Sequence, residues 1–218
     1  MRFKNSQQDV VIEEDANVKC VSLKISGGAD SAIVAYMLCK YVTKERPDIK
    51  IIPITTIHPA KPYQEIYAKR VIEHLQQKFG NIFGKHYVNI ADSANDYIKA
   101  QERLWKQASE VEKIDTNYSG ITANPPKEIT EQHSHDGPVD NRNGKNFPVI
   151  VGKSRRHLSN IDKKGVAELY KTLGVIDTLF PITRSCEARE ESEEYDINKH
   201  CGECWWCMER HWGFNRYT

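Results

Sequence analysis

The chain has 218 residues, enough for one main domain with a hydrophobic core and a small appendage. Its 31 basic and 30 acidic side chains leave a formal net charge of +1, which gives no electrostatic argument for a nucleic-acid partner. No apolar run reaches the roughly 18 residues of a membrane-spanning helix, and residues 1–17 are polar, unlike a secretory signal. We therefore expect a cytoplasmic protein that contacts neither membrane nor nucleic acid.

Apolar patterns in the first half of the chain alternate between the period of a strand and that of a helix. They predict strands over 18–25, 49–57, 86–90 and within 115–123, and helices from the end of the first strand to about 44–47, over 63–79 and over 93–114. Pro53 indicates an irregularity or an edge position in its strand. This alternation predicts an α/β fold with a parallel, doubly wound sheet, in which ligands bind at the carboxyl ends of the strands.

Two segments lack a clear period. Residues 1–17 are expected to be a loose arm or an edge element, and no function is assigned to them. Residues 127–157 form a long loop, either disordered or covering an active site. In this loop, His133 and His135 lack a third ligand at standard spacing, which favours a solvated loop over a metal site. Lys153, Arg155 and Arg156 are either a surface charge run or contacts to ATP phosphates or an acidic substrate.

A further helix is predicted after the long loop. Asp162 is a suitable N-cap, and Gly174 is placed as a C-terminal stop. Lys163 and Lys164 in the first turn are unfavourable for the helix dipole, so either both are exposed or one faces an anion.

The turn between the first strand and the first helix carries the clearest binding signal. It reads Ser26-Gly27-Gly28-Ala29-Asp30-Ser31, here called the glycine loop. Two adjacent glycines allow a positive φ and leave no Cβ, so several N–H groups can converge on an anion at the positive end of the helix dipole. A Gly-Gly pair alone is most often a simple tight turn, and the Gly-Lys-Ser/Thr sequence of the ordinary P-loop is absent here. In this strand-to-helix setting, the whole string predicts a phosphate-binding loop.

Four of the six cysteines lie close together near the end of the chain: Cys186, Cys201, Cys204 and Cys207. Thiolates suit the tetrahedral preference of zinc, and four of them leave no open coordination position. We therefore predict a structural zinc site. A redox Cys-x-x-Cys or an iron–sulfur cluster is the competing interpretation.

The glycine loop resembles the pyrophosphate loop of the adenylating ATP pyrophosphatases, the PP-loop family. The resemblance implies an adenine nucleotide alpha hydrolase-like fold over residues 1–183, followed by a zinc-binding segment over 184–218. It also implies that residues 26–31 hold the two phosphates that leave when AMP is transferred to a substrate. Asp30 would help to hold magnesium or the shape of the loop, and Ser26 and Ser31 would add hydroxyl donors.

Further motifs narrow the resemblance to one family. Thr183-Arg184-Ser185-Cys186 and Cys201-Gly202-Glu203-Cys204-Trp205-Trp206-Cys207-Met208-Glu209-Arg210, followed by Gly213-Phe214, are similar to 7-cyano-7-deazaguanine synthase. Members of that family build a nitrile from 7-carboxy-7-deazaguanine, ammonia and ATP. The resemblance implies an acyl adenylate, its capture by ammonia as an amide, and a second adenylation whose loss leaves the nitrile. It requires no protein nucleophile, and no catalytic base is nominated.

The middle of the chain departs from that family. Tyr118-Ser119-Gly120 is similar to the start of a substrate-recognition loop of the type Ser-Gly-Tyr-Pro-Asp-Cys-Arg, but residues 121–126 are not; Asn124 is an alternative match to an asparagine at the end of the preceding strand. Candidate phosphate or substrate contacts are Ser119, Asn124, Lys153, Lys164 and Arg184.

The departure leaves alternatives open. One is a PP-loop adenylase with another acceptor, such as a nucleobase carbonyl or a protein carboxyl group, including divergent relatives in DNA modification or antiviral defence. Another is a non-catalytic module in which the zinc segment binds a partner, although the intact glycine loop counts against it. The sequence does not fix the oligomeric state; a homodimer is one possibility, because relatives of this fold commonly pair.

Overall fold

A mainly parallel six-stranded sheet forms the centre of the protein. The computed structural model describes residues 1–59, 61–132, 147–186 and 196–218, so His133 and His135 lie outside the described residues. The strands are β1 (Arg2–Phe3), β2 (Val10–Val11), β3 (Cys20–Lys24), β4 (Lys50–Ile57), β5 (Tyr87–Ile90), β6 (Thr116–Tyr118), β7 (Ile150–Val151) and β8 (Ser154–Arg155). The helices are α1 (Ala29–Glu45), α2 (Gln64–Phe79), α3 (Tyr97–Glu112), α4 (Lys127–Gln132), α5 (Lys163–Thr172), a 3-10 helix (Phe180–Ile182) and α6 (Trp205–Phe214).

The strand order of the central sheet is β5-β4-β3-β6-β8-β7. All neighbours are parallel except β7 and β8, which form an antiparallel pair at one edge. After β3 the chain builds β4 and β5 on one side and then returns to build β6 on the other. The predicted parallel α/β sheet is confirmed, and its order reverses at β3.

Helices cover both faces of the sheet because successive strand residues point in opposite directions. The larger core contains Val21 and Leu23 of β3 with side chains from α1, α2, α5 and α6. The smaller core contains Cys20 of β3 and Ile52 of β4 with Leu104 and Ala108 of α3. The glycine loop therefore leaves β3 between two packed layers, which hold its position.

Pro53 lies inside the sheet, so the edge position predicted for it is wrong. Ile51 exchanges backbone hydrogen bonds with Ile82 and Gly84 on the β5 side. Residues two apart face the same side, so the nitrogen of Pro53 also faces β5. Regular pairing with β5 begins only at Ile54. The N–H group that proline lacks would therefore point to a place where the hydrogen-bond ladder between β4 and β5 is interrupted, so its absence costs no ladder bond.

Residues 1–17 are packed against the domain through β1, β2 and polar contacts. Asn5 Nδ2 donates to the carbonyl of Gly165 at 2.7 Å. The side chain of Glu14 is buried and forms an ion pair with Arg155 at 2.9 Å, while Tyr118 donates to it at 2.7 Å. This N-terminal segment therefore ties β6 and β8 together, and the loose arm expected from the sequence is not observed.

Residues 127–157 contain α4, β7 and β8 where the sequence predicted a long loop. The helix predicted after them is confirmed as α5, with Asp162 accepting from the N–H groups of Lys164 and Gly165. Gly174 ends this region with a φ of +67°. Among the described residues, no helix is both long and apolar enough to cross a membrane.

Candidate functional site

The glycine loop turns where α2 comes close to it. Gly27 has a φ of +77°, which glycine adopts without strain. A Cβ at this position would lie 2.4 Å from the Cβ of Tyr67 in α2. Both the backbone conformation and the contact therefore require glycine.

Helix α1 begins directly from the loop. Its N-cap, Gly28, provides no side-chain cap, and the first N–H groups of a helix have no acceptor within it. The loop hydroxyls bond within the loop: the Ser26 N–H donates to Ser31 Oγ at 3.2 Å, and the Gly28 N–H donates to Ser26 Oγ at 3.3 Å. These hydroxyls fix the shape of the loop, and the N–H groups of the first helical turn suit an anion.

The end of β6 closes against the same helix start. A Cβ on Gly120 would lie 2.6 Å from the backbone nitrogen of Ser31. Only glycine allows this approach, which brings Ser119 beside the loop. The sequence signal was a glycine directly after a strand, but its contact with α1 could not be read from the sequence.

A cavity of about 230 Å³ opens at this junction. The glycine loop lines it with Ser26, Gly28, Asp30 and Ser31, and other walls come from the ends of β3, β4 and β6 and from α3. It lies at the carboxyl ends of parallel strands, where the strand order reverses, which is the usual ligand site of such a sheet. The fold and the glycine loop therefore point to the same binding site.

Three buried polar atoms at this cavity have no hydrogen-bond partner among the described residues: Asp30 Oδ1, Thr56 Oγ1 and Ser119 Oγ. A buried polar atom without a partner costs about 1–3 kcal/mol. A polar ligand in the cavity would supply the missing partners. Ser119 was predicted as a candidate contact, whereas Thr56 was not.

Lys163 connects the glycine loop to the C-terminal helix. Its Nζ lies 2.5 Å from Asp30 Oδ2 and 3.2 Å from Glu209 Oε2, and its side chain is only 4% exposed. Burial lowers the pKa of Lys163, but the charges and hydrogen bonds of the two carboxylates outweigh it and raise this pKa above its ordinary value. Of the two lysines in the first turn of α5, Lys163 is therefore the one that faces an anion.

Arg184 brings the C-terminal region against the glycine loop. Its N–H donates to the carbonyl of Gly27 at 2.9 Å. Its buried guanidinium donates to the carbonyls of Asp196, at 3.2 Å, and Ile197, at 2.7 Å, and also to that of Lys199. Arg184 also lines a second cavity of about 110 Å³ beside the loop, which shares Ser26, Gly28 and Asp30 with the first.

The structure places the remaining candidate contacts away from the cavity. Lys153 is exposed in the turn between β7 and β8, with its Nζ 3.4 Å from the carbonyl of Ile114. The ammonium of Lys164 lies 4.7 Å from the ring centroid of Trp212. Lys153, Lys164 and Asn124 are not among the residues that line the two cavities beside the loop in the described part of the chain.

The four cysteines near the end of the chain converge on one point. Their Sγ atoms all lie within 4.8 Å of one another, and those of Cys201 and Cys207 are 3.8 Å apart. Zinc–sulfur bonds of about 2.3 Å place the sulfurs of a tetrahedron about 3.8 Å apart. The N–H of Cys201 points at Cys186 Sγ at 3.3 Å, and the N–H of Cys204 points at Cys201 Sγ at 3.4 Å. This four-cysteine group can bind a metal ion.

The parallel sheet, the glycine loop and the cavity where the strand order reverses define a nucleotide-binding α/β protein of the PP-loop class. The family model described as NAD synthase matches residues 3–119, which include the whole loop and more than half of the chain. The chain therefore belongs to the NAD synthase family, whose members are enzymes that use ATP.

A solved structure was also found to be similar. It is the U34-tRNA thiolase NcsA from Methanococcus maripaludis with its [4Fe-4S] cluster, at 19% sequence identity and a TM-score of 0.49. The similarity covers 73% of this chain and 58% of that one, so the chain spans less than two thirds of that structure's length. No curated protein matches the chain.

Proposed function

We propose that the protein is an ATP-dependent ligase that adenylates 7-carboxy-7-deazaguanine or a close analogue. With ammonia, it would convert the carboxylate through an amide to the nitrile, 7-cyano-7-deazaguanine. Neither a carboxylate oxygen nor an amide oxygen leaves readily, so each would first attack the α-phosphate of ATP, release pyrophosphate and then leave as part of AMP. The glycine loop would stabilise the charge that grows on the departing pyrophosphate, helped by magnesium.

The observation that carries this proposal is the contact between the glycine loop, near the start of the chain, and Arg184, near its end. The resemblance to the synthase family rests on the glycine loop and on the stretch Thr183-Arg184-Ser185-Cys186. These two motifs are distant in sequence, yet the N–H of Arg184 donates to the carbonyl of Gly27 at 2.9 Å. Motifs that share one function are expected to meet at one site.

The ATP site proposed from the sequence consists of residues 26–31. The first-turn N–H groups of α1 suit the phosphates. Asp30 Oδ1 lines the cavity without a hydrogen-bond partner among the described residues, which supports a role in holding magnesium. Ser119 adds a hydroxyl to the cavity beside the loop.

The metal proposed for Cys186, Cys201, Cys204 and Cys207 is zinc, in a structural role. Four thiolates around a single ion lie close together, whereas the four cysteines of a [4Fe–4S] cluster each bind a different iron and lie further apart. Mutual Sγ distances within 4.8 Å favour the single ion. The complete thiolate shell leaves no position for a substrate. The zinc-binding segment over 184–218, the homodimer and the cytoplasmic location stay predictions.

A PP-loop adenylase with another acceptor is the second candidate. Ile121 lines the cavity directly after Ser119 and Gly120, at the point where the sequence leaves the recognition loop of the synthase family. An apolar residue there favours an acceptor that differs from 7-carboxy-7-deazaguanine on this side. The adenylation chemistry would be the same.

An assay with ATP, magnesium, ammonium and 7-carboxy-7-deazaguanine tests the proposal. AMP, pyrophosphate and the mass of the product are followed together, and we expect the nitrile with two AMP per product. The variant Asp30→Asn should lose turnover, whereas Asp177→Asn, whose side chain is 78% exposed, should keep it. ATP binding without AMP or product would move the search to another acceptor, and failure to bind ATP would contradict both candidates.

A further inference from the structure

Lys24 is the last residue of β3, and its side chain lines the cavity beside the glycine loop. Strand residues alternate between faces, so Lys24 lies on the same side of the sheet as Cys20. Cys20 packs against α3 on that side. Its Nζ donates to Oε1 of Gln101 in α3 at 3.1 Å. Part of the lining of the cavity therefore comes from the end of β3 and from α3, and another part comes from the glycine loop.

Among the described residues, no carboxylate forms an ion pair with Lys24. Lys163 contacts two carboxylates, and the exposed Lys19 and Lys50 each form an ion pair at 2.7 Å. In contrast, the only hydrogen-bond partner of Lys24 among the described residues is the neutral amide of Gln101. Burial and then the positive charge of Arg156 lower the pKa of Lys24, and the negative charge of Glu102 opposes them only in part. A partly desolvated ammonium without an anion is unfavourable unless a ligand supplies one.

The anion that fits this position is different from the triphosphate. The phosphates have their own positive site at the first turn of α1. An acceptor that attacks ATP must share the cavity with it, and its carboxylate would be repelled by the phosphates. A lysine that lines the cavity offsets that repulsion.

We infer that Lys24 and Gln101 form a subsite that binds the carboxylate of a planar heteroaromatic acid acceptor. Gln101 accepts from Lys24 through Oε1, so its amide Nε2 is a second donor for the carboxylate. Tyr97, Ile54 and Ile121 line the same cavity and provide aromatic and apolar surface for a ring. The inference rests on the proposed adenylation at this site and adds the residues that select an acidic acceptor.

Binding measurements on the full chain, with magnesium and a non-hydrolysable ATP analogue, test the subsite. The probes are pairs of an acid and its neutral amide: 7-carboxy-7-deazaguanine, nicotinic acid and orotic acid, each with the corresponding carboxamide. The variants are Lys24→Gln, Lys24→Arg and the control Lys44→Gln, an exposed lysine in the last turn of α1.

We expect Lys24→Gln to weaken the acid that the wild-type protein binds by at least about tenfold, because a hydrogen bond between two charged groups is lost. The affinities for its neutral amide and for the ATP analogue should change by less than about twofold, because neither ligand makes that charged hydrogen bond with Lys24. Lys24→Arg should restore part of the affinity for the acid. Lys44→Gln should behave as the wild type. A purely structural role of Lys24 would affect acid and amide alike.

The possible results separate this inference from the proposed function. If another acid binds in place of 7-carboxy-7-deazaguanine and Lys24→Gln weakens it, the proposed acceptor fails and the subsite stands. If 7-carboxy-7-deazaguanine binds equally well to Lys24→Gln, the subsite is overturned and the proposed acceptor stands. The subsite would also be overturned if Lys24→Gln weakened binding of the acid and of its amide equally, or weakened binding of the ATP analogue as much as binding of the acid. The same holds if the wild-type protein bound none of the acids.

Discussion

The ammonium of Lys163 lies 2.5 Å from the carboxylate of Asp30, so a residue at the start of α5 contacts the glycine loop directly. The same ammonium lies 3.2 Å from Glu209, which follows Cys207 in α6. The loop and the helix that carries a cysteine of the four-cysteine group therefore share one buried cation. A substitution in the glycine loop is therefore expected to perturb α6, and a substitution in α6 is expected to perturb the loop.

Replacing Lys163 should destabilise the protein strongly. Lys163→Met leaves Asp30 and the buried Glu209 without their cation, and loss of one partner from a buried ion pair costs about 3–5 kcal/mol. The free energy of unfolding from urea denaturation measures this loss. Adding Glu209→Gln should recover part of the stability, because it removes one of the two negative charges that Lys163 contacts. If Lys163→Met alone were as stable as the wild type, the result would contradict a stabilising role of this ion pair.

Gly120→Ala should disturb the nucleotide site as well as stability. Its Cβ would lie 2.6 Å from the backbone nitrogen of Ser31, so the end of β6 must move away from α1. We expect a loss of about 1–3 kcal/mol and weaker binding of an ATP analogue.

Gly174→Ala is the matched control for Gly120→Ala. It is strained by its φ of +67°, but its Cβ meets no atom within 4 Å. This variant should lose stability without a change in nucleotide affinity. Unchanged nucleotide affinity in Gly120→Ala would show that the contact with α1 does not shape the site.

The purified protein should contain about one zinc ion per chain, because four thiolates form one complete shell. Cys204→Ser should lower both the zinc content and the melting temperature, since metal binding is coupled to folding. Cys20→Ala, at a cysteine outside this group, should keep the metal. Elemental analysis and thermal unfolding provide the readouts. Stoichiometric iron with visible absorbance, or no metal at all, would contradict a zinc site.

Stability should fall on acidification, in part through His157. Burial, followed by the nearby charge of Arg155, lowers the pKa of this buried histidine to about 4. In the unfolded chain its pKa is about 6.5, so the unfolded state binds more protons between these two values. The contribution of His157 is therefore complete above about pH 6.5 and is lost as the pH falls towards 4, by at most about 3 kcal/mol.

His157→Gln should flatten this part of the stability curve, measured by urea denaturation from pH 7 to pH 4. His86, whose pKa burial also lowers to about 4, remains in the variant and preserves some of the slope. An unchanged slope in His157→Gln would show that His157 does not titrate as described.

The sequence by itself determined the local features. The glycine loop, α1 and the capped helix that begins after Asp162 could be predicted because periodicity, glycine turns and caps act over a few neighbouring residues. The alternation of strands and helices was enough to predict the parallel sheet, and the spacing of Cys201, Cys204 and Cys207 was enough to predict a metal site.

Only the tertiary structure decided which distant residues meet. It placed Lys163 rather than Lys164 against Asp30, turned Lys24 into the cavity, and set Pro53 at an interruption of an interior ladder. None of these contacts leaves a local signal. A buried lysine and an exposed one look the same in a sequence, and the partner that determines the difference lies on another element of the fold.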